Sequence, residues 1–185
     1  MSHLTVYKDD NAALHLWQSN DHAAIAEKLK SAGIRFEKWN TQVDLSLQAD
    51  DASIIAAYAD EIERIKKDGG YQSIDIIRVL ADNPKRVELR NKFLSEHTHT
   101  EDEVRFFVDG SGMFYLHVEG HVYMVLCERG DLISVPDGVK HWFDLGDKPH
   151  LAAIRFFTNI EGWVANYTEN KIADHFPKLG QQEAA

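Results

Sequence analysis

The chain has 185 residues, of which 44% are hydrophobic and 27% charged, and its formal net charge is -10 at pH 7. That length can bury the core of one domain, and an acidic chain with no cluster of Lys and Arg excludes a surface built to grip nucleic-acid phosphates. No apolar run approaches the roughly 18 residues needed to cross a bilayer, which excludes a membrane-spanning helix.

The N-terminus, Met1-Ser2-His3-Leu4-Thr5, lacks the basic segment followed by an apolar stretch that marks a secretory signal, so a cytoplasmic location is expected. Asp21 to Ala32 predicts a helix, because Ile25 and Leu29 lie four apart on one face and Gly33 is placed to end it. A second helix is predicted from a cap at Asp51, through the stripe Ile54, Ile55, Tyr58, Ile62 and Ile65, to the stop at Gly69-Gly70. Both stripes read as helix faces packed on a sheet.

From Tyr71 the pattern changes to short runs rich in Val, Ile, Phe and Tyr, separated by turn signals such as Asp82-Asn83-Pro84, Asp109-Gly110, Glu119-Gly120 and Pro136-Asp137-Gly138. Spacing of about eight to twelve residues suggests an antiparallel sandwich or barrel. Cys127 is the only cysteine. It lies in the apolar run Val122 to Cys127 and reads as a buried strand residue. Gly180 to Ala185 has nothing to bury and is expected to form a disordered tail.

The chemistry concentrates in Glu96-His97-Thr98-His99-Thr100-Glu101-Asp102-Glu103. Residues two apart point away from each other on a helix but share a face on a strand, so His97 and His99 favour an extended backbone. Their side chains would stand about 6 to 7 Å apart there, near enough for two imidazoles to converge on one ion. Glu103 would be about 13 Å further along a straight chain, so a bend after His99 has to bring it back. A strand after Gly130, a tight Pro136-x-Gly138 turn and His141 at the start of the next strand suggest a hairpin that presents a third imidazole. Imidazoles with one carboxylate suit octahedral Fe(II) or Ni(II) with positions left open for a guest.

Two motifs carry a family resemblance. One reads His97-x-His99, three residues, Glu103, six residues, Gly110. The other reads Gly130, five residues, Pro136-x-Gly138, two residues, His141. In both the chain resembles the cupins, although Leu145 stands where the second motif often carries an Asn that is not a ligand. Over nearly its whole length it is similar to the acireductone dioxygenases, through Phe93, Glu96, Arg105, Phe106-Phe107, Trp142-Phe143-Asp144, Arg155-Phe156-Phe157 and Gly162-Trp163.

The resemblance implies a mainly β fold, the double-stranded β-helix or jelly-roll cupin barrel, with two or more helices packed outside. Residues 1–179 would form a single domain, with helical decoration over about 1–70 and the barrel over about 71–160. It implies one Fe(II) or Ni(II) per chain on His97, His99, Glu103 and His141, with an acireductone and O2 as the small-molecule partners. It gives Arg105 the catalytic role of favouring a substrate dianion, against the plain alternative of a salt bridge to Glu101 or Asp102. Phe93, Phe107, Phe143, Arg155 and Trp163 become pocket candidates, with ordinary core as the competing reading of the aromatics. Glu96 and Asp102 could orient imidazoles or help load metal, or be surface carboxylates. His117 and His121 read as the solvated face of strands, and a monomer is expected. Other classes remain open: another cupin enzyme, of the flavonol dioxygenase or sugar isomerase type, or a cupin binding module without catalysis.

Overall fold

The computed structural model describes residues 1–40, 45, 49–159 and 163–180. Gly162 of the Gly162-Trp163 mark, and the expected tail after Gly180, lie outside the described residues. In chain order the elements are β1 (His3–Lys8), β2 (Asn11–Ser19), α1 (His22–Ser31), β3 (Arg35–Lys38), α2 (Asp51–Ala57), α3 (Ala59–Gly69), β4 (Ser73–Leu80), α4 (Arg86–Phe93) and β5 (His97–Thr98). There follow β6 (Glu103–Val118), β7 (His121–Glu128), β8 (Asp131–Val135), β9 (Lys140–Asp144), β10 (His150–Phe157), β11 (Asn166–Tyr167) and a 3-10 turn over Ile172–His175.

The long strand β6 belongs to two sheets. Its first part pairs with β8 and β10, giving the order β4-β10-β6-β8-β3. Its second part pairs with β7 and β9 in the order β11-β5-β9-β6-β7-β1-β2. The handover falls at Asp109-Gly110, where the register with β10 shifts between Ala152 and Ala153. Gly110 has φ +73 there, and a Cβ would collide with the His150 backbone, so only glycine fits this corner. Two antiparallel sheets sharing a strand in this way form the jelly-roll cupin fold.

Strand alternation sorts the residues of β6 into separate cores. Phe107, Phe114 and Leu116 point inward and meet Leu4, Val125, Ile133, Val135, Phe143 and Ala153, so both sheets contribute to one interior. Val104, Phe106 and Val108 point to the other side, where Ile54 of α2, Ile62 and Ile65 of α3 and Tyr58 between them cover these side chains together with Trp39. Met113 and Tyr115 face outward beneath Ile172, Ala173 and Phe176 of the C-terminal segment.

The predicted first helix is α1, where the Asp21 carboxylate accepts a hydrogen bond from Ala24 N at 2.8 Å and Ile25 and Leu29 are buried. The predicted second helix is two, because Tyr58 leaves helical geometry at φ -118 and ψ 22, and its cap is Asp50 rather than Asp51. The expectation of helical decoration over about 1–70 needs correction. Residues 3–8, 11–19 and 35–38 are strands, and β1 continues the sheet beyond β7 with Leu4 opposite Val125. Residues 86–93 form a helix that the strand-like reading after Tyr71 omitted.

Candidate metal centre

His97 and His141 are direct register partners on β5 and β9, so sheet pairing itself sets their side chains next to each other. Beyond Thr98 the chain bends through residues 99–102, as the spacing required, and Glu103 opens β6. The Pro136-Asp137-Gly138 turn clamps this bend, because Gly138, at φ +70, donates its N–H to the His99 carbonyl at 3.0 Å. The expected β8–β9 hairpin is not formed. β8 lies in one sheet and β9 in the other, so the turn crosses between sheets and delivers His141 to the ligand group from there.

The result is a buried cluster of His97, His99, Glu103 and His141, whose donor atoms all lie within 4.8 Å of one another. Each imidazole has its Nδ1 on a backbone carbonyl: His97 on Ser95 O at 2.7 Å, His99 on Val164 O at 2.8 Å and His141 on Val139 O at 2.7 Å. A carbonyl can only accept, so each Nδ1 carries a proton and each Nε2 is the nitrogen turned toward the cluster.

Glu103 Oε2 lies 2.9 Å from His99 Nε2 and 3.1 Å from His141 Nε2. Burial pushes the Glu103 carboxyl up, but the Arg105 charge and the two imidazoles outweigh it and hold it well below the usual range. Burial pushes the His99 imidazole down, but its bond to Glu103 and the charge of that carboxylate outweigh it and raise it, so the contact calls for positive charge between the two, a proton or a cation. A single divalent cation meets that need for all the donors together, and neighbouring donors about 2.1 Å from an octahedral ion stand about 3 Å apart, the spacing of Glu103 Oε2 from the His99 and His141 nitrogens. Burial, with the charge of His141 next, pushes the His97 imidazole down to about 4, which keeps its lone pair available near neutral pH.

Arg105, two residues beyond Glu103 on the same strand face, is 2% exposed, and its Nε lies 2.8 Å from Glu103 Oε1. Its guanidinium is caged by aromatic rings, with centroids at 4.6 Å for Phe143, 5.3 Å for Trp163, 5.4 Å for Phe114 and 5.8 Å for Phe93. The alternative partners, Glu101 and Asp102, are engaged elsewhere: Glu101 accepts from Thr158 N at 2.8 Å, and Asp102 from Tyr71 OH at 3.0 Å and Asp137 N at 3.1 Å.

A cavity of about 660 Å³ opens over the cluster. Of the pocket candidates, Phe93, Phe143, Arg155 and Trp163 line it together with Arg105. Phe107 does not. It faces the same interior two residues further along β6, but Arg105 and its aromatic cage close off the cavity, and Phe107 packs in the core below. Sequence reasoning missed Asp75, Lys92, Phe157, Val164 and Tyr167, which also line the cavity. Phe157 belongs to the Arg155-Phe156-Phe157 mark and could have been named a pocket residue, whereas nothing local marks Asp75 or Lys92.

Glu96 is buried with its carboxylate turned from the ligand cluster, bonded to His117 Nδ1 at 2.6 Å and Thr168 Oγ1 at 2.5 Å. His117 is thus no solvated strand residue. It bridges Glu96 to Asp9, whose carboxylate lies 3.2 Å from its Nε2, because β6 runs beneath the C-terminal segment there. Asp102 also carries Trp163, whose Nε1 donates to the Asp102 carbonyl at 3.2 Å, so its side chain and backbone pin the bend between two ligand candidates.

Fold and site together define a jelly-roll cupin with a divalent-metal centre built from imidazoles and one carboxylate. Residues 3–165 match the model of the ARD/ARD' family, and the chain belongs to that family. It is 51% identical over 179 residues to the acireductone dioxygenase 2 of Pectobacterium atrosepticum, covering 97% of this chain and 99% of that protein. It is 52% identical over 179 residues to the acireductone dioxygenase of Parvibaculum lavamentivorans, covering 97% of each. Among solved structures, acireductone dioxygenase from Bacillus anthracis with a cadmium ion in its active centre superposes with a TM-score of 0.80 at 33% identity, covering 90% of this chain and 98% of that one.

Proposed function

We propose that this chain is an acireductone dioxygenase of methionine salvage, which cleaves 1,2-dihydroxy-3-keto-5-methylthiopentene with O2. The observation that carries the reading is the convergence of outward-anchored imidazoles and Glu103 beside the caged guanidinium of Arg105, in a chain about half identical to proteins of that name. His97, His99, Glu103 and His141 would hold one Fe(II) or Ni(II), and the bound metal supplies Lewis acidity and a template for a bidentate enediol.

The chain's own residues then do three things. The backbone carbonyls of Ser95, Val139 and Val164 hold the Nδ1 protons, so each imidazole stays aimed with its Nε2 toward the ion. Arg105 supplies a fixed positive charge in a site that excludes water, which favours loss of the second enediol proton and stabilises the dianion that reacts with O2. Phe93, Phe143 and Trp163 keep that charge dry and wall the cavity. Products follow the metal: 2-keto-4-methylthiobutanoate and formate with iron, or methylthiopropanoate, formate and carbon monoxide with nickel. Both ions accept this donor set, so availability decides occupancy.

In this reading residues 1–179 act as one cytoplasmic, monomeric domain. The test reconstitutes the protein with Fe(II) or Ni(II) and supplies acireductone and oxygen. Loss of the enediol absorbance together with oxygen, and the product set belonging to each metal, are expected. No consumption by either form rejects the assignment.

A further inference from the structure

The charged side chains that line the cavity nearly cancel. Glu103 pairs with Arg105 at 2.8 Å, and Asp75 clamps Arg155 from two sides, at 2.7 Å to Nε and 2.5 Å to Nη2. The remaining one is Lys92, exposed in the last turn of α4, and no carboxylate lies within ion-pair distance of it among the described residues.

Burial gives the order of the cavity from floor to mouth. His97, His99, Glu103, Arg105 and Phe143 are buried, whereas Lys92, Val164 at 60% exposure and Tyr167 at 46% form the lip. The lip is fixed to α4, because Tyr167 OH donates to the Lys92 carbonyl at 3.1 Å. Among the described residues Lys92 is therefore a positive charge without an ion-pair partner, at the entrance of a cavity in a molecule of net charge -10.

We infer that Lys92 is a specificity-determining residue that draws the substrate in as its enediolate monoanion, in preference to the neutral enediol. This rests on the function proposed above, since an acireductone is an acidic enediol. The first proton goes to solvent before entry, and only the second has to be lost beside Arg105. The acidic surface repels such an anion at long range, and a single cation at the mouth offsets that repulsion at close range. Asp75 adds selectivity as a positioning residue. It neutralises Arg155 and holds the guanidinium over Phe157 and Trp163, at 5.3 and 5.4 Å from the ring centroids, so Arg155 does not act as a second anion trap. A lysine near a helix C-terminus is also favoured by the helix dipole, which a purely structural role would use without affecting substrate capture.

The test compares wild type, Lys92→Gln, Lys92→Arg and Lys92→Glu, each loaded with one metal and checked by elemental analysis. Steady-state rates are measured from low to high ionic strength. In Lys92→Gln, kcat/KM at low salt should fall roughly 3- to 10-fold with kcat unchanged, Lys92→Glu should fall further, and Lys92→Arg should hold the wild-type value. Wild-type kcat/KM should drop as salt rises and converge on that of Lys92→Gln, because charges beyond about 8 Å are screened at physiological salt. An oxygen-free titration of each protein with acireductone reads binding without turnover, and the same ranking of affinities is expected. Unchanged kcat/KM and salt slope in Lys92→Gln and Lys92→Glu, or kcat falling in step with kcat/KM, overturns the inference and leaves the function standing. Failure of metal-loaded wild type to bind acireductone at all overturns the functional reading and this inference with it.

Discussion

Arg105 has a costly position: a guanidinium at 2% exposure is tolerable only because Glu103 and aromatic ring faces replace the water it has lost. If that charge serves the substrate dianion, Arg105→Ala should lower kcat/KM by about 10² to 10³, the usual effect of removing one preorganised charge or donor. Arg105→Lys should recover little, since a compact ammonium cannot spread over the same rings. Steady-state kinetics of metal-verified protein decide this, and full activity in Arg105→Ala would remove its proposed role. The ligand candidates were legible because the His-x-His spacing has a direct geometric meaning on a strand. Phe107 was misread because parity along a strand gives a side chain's direction but not its depth, and His117 because nothing near it in sequence reveals that Glu96 and Asp9 converge on it.

Among the elements, β3 and α3 are joined through Glu37. Burial raises its carboxyl, but hydrogen bonds from Arg64, Trp39 and Arg35, with the charge of Arg35, bring it down to about 2. Its unfolded value is 4.5, so the folded state binds the proton more weakly. The resulting stabilisation is fully present above the unfolded value and is lost as pH falls from there toward 2. Chemical denaturation between pH 6 and 3 should show wild type losing stability more steeply than Glu37→Gln; parallel curves would contradict the clamp. Helices α1 to α3 were readable from their stripes and glycine stops while α4 was not, and the break at Tyr58 was hidden because Ile54, Tyr58, Ile62 and Ile65 continue one apolar face straight through it. The strands before residue 40 went unread because β2 is largely exposed at the sheet edge and lacks a clean two-residue alternation.

For the whole molecule, the ligand cluster links distant stretches of chain, so an ion bound there should stabilise the entire fold. Apo protein, prepared with a chelator and verified by elemental analysis, should melt below the Fe(II)- or Ni(II)-loaded form. Ion at a hundred times its dissociation constant contributes about 2.7 kcal/mol. Equal melting temperatures would mean that the cluster does not hold the ion. The jelly-roll class was legible from turn spacing and the two motifs, but the assignment of β8 and β9 to different sheets was not, since a tight turn between strands normally makes a hairpin.

Because β6 is held in common by both sheets and opens with Glu103 and Arg105, mutational drift along it disturbs the reactive core and the scaffold at once. Inherited novelty in substrate choice has an easier route through β4, α4 and residues 163–167, which border the cavity without belonging to that strand. Substitutions there can thus change what enters the cavity without touching the strand that carries Glu103 and Arg105.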